Sequence, residues 1–239
     1  NGRYRVRTDG PDGRLADFDV KYVFGFRPLQ QYLLELPGGR YQVLSVSWNT
    51  RPKAQGGQRW FHSYQGEQID HRDVLHWTAP SQNWNYMCAE CHSTNVQKNY
   101  RAETKTYATT WSEINVSCEA CHGPGSAHVA WAGRAPAARA AETSKGLVFS
   151  MRDTSGGKWI VPPGEAIAKR TAPPSSRAEV ETCARCHARR GQSWLDYQFG
   201  QPLASTHRLA LLDEDLYEAD GQQRDEVFEH GSFLQSKMY

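Results

Sequence analysis

All six cysteines of this 239-residue chain fall in clusters of one form, Cys-x-x-Cys-His, and there are three such clusters. They read Cys88-Ala89-Glu90-Cys91-His92, Cys118-Glu119-Ala120-Cys121-His122 and Cys183-Ala184-Arg185-Cys186-His187. Two intervening residues put both thiols on one turn, and the adjoining imidazole rises beside the second sulfur. That arrangement suits thioether attachment to the two vinyl groups of a haem, with the histidine as proximal iron ligand. The sequence therefore predicts three covalently bound haems c per chain.

Other uses of paired cysteines fit less well. Tetrahedral zinc takes four ligands, which three cysteine pairs do not divide into evenly, and zinc gives no reason for a histidine after every pair. A redox disulfide needs neither the histidine nor three copies. A structural disulfide framework would not space all six identically.

The chain is polar for one large domain, 38% hydrophobic with a mean hydropathy of −0.73. Haem is a large apolar plate, and three of them can replace much of a side-chain core. The 28 Lys and Arg are interspersed with 26 Asp and Glu, net +2, which excludes a nucleic-acid binder. No stretch reaches the roughly 20 apolar residues of a membrane span. The chain opens Asn1-Gly2-Arg3-Tyr4 without a signal peptide, whereas haem attachment takes place outside the cytoplasmic membrane. The expectation is a processed or internal piece of a longer exported protein, periplasmic or extracellular.

The pattern predicts an α+β fold low in regular structure, with a β-rich N-terminal region (1–80) packed on a helical, loop-rich haem core (81–239). Alternation at Tyr4–Arg7 and Phe18–Phe24 predicts strands, and Pro37-Gly38-Gly39-Arg40 predicts a hairpin between 31–36 and 41–46. Thr110-Trp111-Ser112-Glu113 has capping-box spacing and predicts a helix delivering the second motif, stopped at Gly123-Pro124-Gly125. Ser176-Arg177-Ala178-Glu179 repeats the device before the third. Residues 130–142 read as helix, and 150–176 as an extended surface loop.

Nine histidines are present, and three belong to the motifs. Of the remainder, His62 and His76 adjoin aromatics (Trp60-Phe61-His62, His76-Trp77). His128 follows His122 by six residues across a Gly-Pro-Gly turn, and His71, His207 and His230 complete the set. Methionine could compete, but only Met87, Met151 and Met238 exist, and Met87 abuts its own motif. Bis-histidine ligation is the expectation, and it implies lower potentials than His/Met.

The run Trp84-Asn85-Tyr86-Met87-Cys88-Ala89-Glu90-Cys91-His92-Ser93-Thr94-Asn95 resembles bacterial multihaem cytochromes c that occur in long chains with tetratricopeptide repeats. Cys118–Ser126 followed by His128 is similar to these and to the wider tetrahaem cytochrome group, which includes the electron acceptor of hydroxylamine oxidation. Gly56–His62, Leu75–Thr78 and Asp220–Gln222 match as well, so the resemblance spans roughly 15–239. It implies electron transfer, with His62, His76, His128 and His207 as distal ligands. His230 falls where the family more often has Tyr, and His71 lies in a variable stretch. The resemblance also implies further haem motifs on either side of this chain.

The resulting expectation is an electron-transfer module whose partners are redox proteins or neighbouring copies of itself. One alternative is a multihaem oxidoreductase of nitrite or hydroxylamine type with one open haem. Another is the protomer of an extracellular cytochrome filament. All three motifs end in His and no Cys-x-x-Cys-Lys variant occurs, which disfavours the enzyme.

Overall fold

The structure is a computed structural model, and it describes residues 2–210, 212–224, 228–237 and 239. Met238 lies outside the described residues. The chain forms two compact units, Asn1–Asn115 and Val116–Tyr239. The compositional change near residue 80 lies inside the first unit, so the first motif shares a unit with the N-terminal strands. Strands and helices are both present, a mixed α+β chain.

The first unit is built on a six-stranded antiparallel sheet of β1 (Arg5–Asp9), β2 (Leu15–Phe24), β3 (Leu29–Leu36), β4 (Arg40–Val43), β5 (Val46–Asn49) and β6 (Arg59–His62). Its order is β1-β2-β3-β5-β6, with β4 also paired to β3. The expected hairpin is present: Leu36 faces Arg40 across the turn. Gly38 and Gly39 have φ of 82° and 70°, and a Cβ on Gly39 would stand 2.2 Å from the Tyr107 carbonyl oxygen, so glycine is required there.

A bulge in β2 decides how the sheet uses its two faces. Val20 pairs with Leu34, but Tyr22 pairs with Leu33, so one extra β2 residue is accommodated between them. Strict alternation would keep Phe18, Val20, Tyr22 and Phe24 on one face. The bulge instead sends Phe18 and Val20 to a cluster with Leu34, Leu36, Leu44 and Trp77, and Tyr22 and Phe24 to another with Leu33, Val43, Trp84 and Ala89.

Two short helices, α1 (Trp84–Met87) and α2 (Ala89–His92), carry the first motif on the Leu33–Val43 face. Asn83 caps α1 by accepting the Tyr86 amide at 3.0 Å. Buried Asn85 fixes α1 to the hairpin: its Oδ1 accepts the Tyr41 amide at 2.7 Å, and its Nδ2 donates to the Gly39 carbonyl at 3.1 Å. The predicted capping box at Thr110–Glu113 is not a cap. Thr110 donates its amide to the Gln97 carbonyl, and Glu113 bridges to Thr94. These β-forming residues find an extended partner just after the first motif, and that pairing prevails over the local helix signal. A two-stranded ladder, β7 (Tyr100–Arg101) with β8 (Thr106–Tyr107), lies between those segments.

The second unit has little sheet. Helix α3 (Cys118–His122) ends where predicted, at Gly123 with φ 75°. The expected helix over 130–142 is two, α4 (Ser126–Ala132) and α5 (Pro136–Ala141), because Gly133 lets the chain break and Pro136 starts a new first turn. The 150–176 stretch is mostly irregular, with a small ladder of β9 (Trp159–Ile160) and β10 (Lys169–Arg170). The Asp153 carboxylate gathers the amides of Ser155 and Ser175 and the Arg170 guanidinium. These contacts, the Ser175 amide foremost, hold it far below the usual carboxylate range.

Helix α6 (Ala178–His187) starts beside the second Ser-x-x-Glu signal, with Arg177 rather than Ser176 at the cap. Strands β11 (Arg190–Gln192) and β12 (His207–Leu209) pair, and α7 (His230–Leu234) follows. Among the described residues the buried apolar cluster here is Ala184, Ala188 and Leu203, flanked by Tyr197 and Leu209.

Candidate haem-attachment sites

Each motif lies on a helical turn, which places its two cysteines three apart on one face and its histidine at the last helical position. None of the six cysteines is joined in a disulfide. Cys88 sits at the junction of α1 and α2 against the Leu33–Trp84 cluster. Burial pushes its thiol up to about 11, with Cys91 adding to the rise. His92 closes α2 at the surface.

The second motif is more open: Cys118, Cys121 and His122 are all exposed. His122 borders a cleft of about 930 Å³ walled by Leu147, Val148, Phe149 and Met151. That size lies within the range of roughly 300–1,000 Å³ typical of ligand sites, and the apolar wall suits a macrocycle. A Cβ on Gly123 would come within 2.6 Å of Val148, so the turn below the cleft tolerates no side chain.

The second and third motifs lie close together in their unit. Burial raises the Cys183 thiol, with Glu179 and then Cys121 contributing. Arg185, inside the third motif, donates to the Ala120 carbonyl inside the second at 3.0 Å. Its guanidinium also stacks over Tyr197 and Phe199, 4.6 and 5.0 Å from the ring centroids. His187 places Nδ1 3.1 Å from the Glu229 carboxylate.

The other histidines divide by how their rings are held. His128 places Nδ1 2.8 Å from the Lys145 carbonyl and stacks on Trp131. His207 is buried, with Nδ1 2.9 Å from the Thr206 hydroxyl. His62 contacts the Tyr64 backbone through Nδ1. Orientation of the ring through Nδ1 is the usual arrangement of an iron-ligating imidazole. His76 is buried with both nitrogens engaged, Nδ1 at the Thr78 hydroxyl (2.8 Å) and Nε2 at Asp9 (3.1 Å). His71 packs on Gly13, and burial lowers the pKa of His230 at the start of α7.

Sequence reasoning missed Glu229, Arg185 and the Met151 wall of the cleft. Arg185 was visible inside its motif, but its contact with Ala120 spans 65 residues. Glu229 lies 42 residues from His187 and carries no local signal.

Helical Cys-x-x-Cys-His turns outside any disulfide, the second of them beside a cleft with Leu147, Val148, Phe149 and Met151 in its wall, fit haem. Among the described residues no group of three or more His, Cys, Asp or Glu side chains converges on a bare metal ion, so zinc finds no ready ligand set. These features suit covalent attachment of haem c, the prosthetic group of c-type cytochromes. The family model described as "Cytochrome c554 and c-prime" matches residues 44–123, about a third of the chain and including the first two motifs. No curated protein matches the chain, and no solved structure does. Among the described residues no helix is long and apolar enough to cross a membrane.

Proposed function

We propose that this chain transfers electrons through three covalently bound haems c, one at each motif. The observation that carries the reading is the triplicate Cys-x-x-Cys-His turn with no cysteine in a disulfide and every histidine at its helix end. Cys88 and Cys91, Cys118 and Cys121, and Cys183 and Cys186 hold the macrocycles, and His92, His122 and His187 are the proximal ligands. When bound, each haem supplies a one-electron Fe(III)/Fe(II) couple. The protein's own part is to hold the haems, shield them from water and set their potentials through axial ligands and burial.

The distal ligands are drawn from His62, His76, His128 and His207. The Nδ1 contacts of His62, His128 and His207 support that role, since each orients the imidazole ring. His76 would first exchange its Asp9 contact for iron. Residues 81–239 form the haem-binding core and 1–80 its β-rich N-terminal region. The resemblance to tetratricopeptide-repeat-associated and tetrahaem cytochromes supports an exported location, periplasmic or extracellular. Partners would be redox proteins, neighbouring copies, or further haem-bearing segments of a longer chain.

The intact mass of the mature protein should exceed the 27.0 kDa polypeptide by three haems, an increment that survives acid-acetone extraction. A smaller increment removes the three-haem reading. The same sample should give only low-spin ferric resonance signals, whereas a high-spin signal in the intact protein would favour the oxidoreductase.

A further inference from the structure

We propose that Glu229 is a positioning residue that depresses the potential of the third haem through His187. The inference rests on haem attachment at Cys183 and Cys186. Among the three proximal histidines, His187 is the one whose Nδ1 meets a carboxylate, at 3.1 Å, and no such partner is recorded for His92 or His122 among the described residues. Glu229 lies immediately before α7, where its carbonyl accepts the Phe233 amide, so the helix anchors its backbone.

An imidazole that donates Nδ1–H to a carboxylate becomes a stronger donor through Nε2. Stronger donation favours Fe(III) over Fe(II), because the extra electron density offsets the higher positive charge. With haem held at Cys183 and Cys186, the iron would supply a one-electron couple with no bond broken, and the Nδ1 proton would stay between His187 and Glu229. The carboxylate also fixes the ring plane. The third haem is thereby set apart from the other two, giving the chain a built-in difference between its redox centres.

The test is a potentiometric titration of the full haem-loaded chain, wild type against E229Q and E229D, with the haem count of each sample read from its mass. Gln is isosteric and keeps the reach but not the charge. E229Q should raise the potential of one component by about 59 mV, a tenfold change in its Fe(II)/Fe(III) ratio, and leave the other two in place. E229D, which keeps the charge, should stay near the wild type. Three haems with unchanged potentials in E229Q would overturn the role of Glu229 alone. Equal shifts in E229Q and E229D would also overturn it, since the effect would then be structural. A wild-type chain without haem at Cys183 and Cys186 would remove both this inference and the three-haem reading.

Discussion

At the residue scale the three motifs are alike in sequence and unlike in environment. Cys88 is wedged against an apolar cluster, whereas Cys118 and Cys121 lie open to solvent. Burial raises the Cys88 pKa from 9.0 to about 11 in the folded chain before haem attachment. The neutral thiol is therefore favoured by folding. Above pH 9 the unfolded chain gives up this proton while the folded chain keeps it, so stability falls as pH rises through 9 to 11, by about 3 kcal/mol. Alkylation of the haem-free chain at pH 8.5 should label Cys118 and Cys121 first and Cys88 last, read by peptide mass. Labelling of Cys88 as fast as Cys118 would contradict the buried setting.

At the element scale the sheet acts as a partition. Helices α1 and α2 cover the Leu33–Val43 face, while Leu44, Val46 and Trp77 belong to the other. His62 is the cross-strand partner of Val46, and directly opposed residues of an antiparallel pair share a face. His62 thus stands on the face away from the first motif. If it ligates iron, that iron belongs to a different haem. The high-spin ferric signal gained in H62A should therefore persist when the first haem is removed by C88A and C91A. Its disappearance in that combined variant would show that His62 reaches around the sheet edge. The β2 bulge is what makes the partition possible, since it lets one strand feed apolar side chains to both faces.

At the scale of the whole molecule the two units differ in how much core they own. The first holds two clusters with Leu33, Leu34, Leu36, Val43, Leu44, Trp77 and Trp84 buried. The second buries Ala184, Ala188 and Leu203 in its cluster while Val129, Val148, Trp194 and Leu195 stay more than half exposed. A large buried side chain is worth about 1.5–3 kcal/mol, so the second unit has far less to set against its chain entropy. Haem bound at the second and third motifs would supply the missing apolar partner. In haem-free chain, hydrogen exchange should find the amides of β2 and β3 protected and those of α3 and α6 nearly unprotected. Haem attachment should restore the latter. Equal protection of both units without haem would show that the second unit folds on its own side chains.

Cys-x-x-Cys-His spacing, the Pro37–Arg40 hairpin and the Gly123 stop were legible in the sequence because each depends on residues within a turn or two. Covalent spacing and local backbone preference act there without a distant partner. Signals that needed one were misread or invisible. Thr110–Glu113 has the spacing of a helix cap, yet it became extended because residues 94–97 offered it a strand. The single helix expected over 130–142 is a different case, a local signal underweighted: Gly133 and Pro136 outweighed its alanines. No local pattern assigns Glu229 to His187, Arg185 to Ala120, or His62 to the far face of the sheet. Composition and spacing alone determined that this chain attaches haem. Long-range pairing and burial decided which side chains surround each site, because hydrogen bonds and apolar contacts between distant segments form only once the chain has folded.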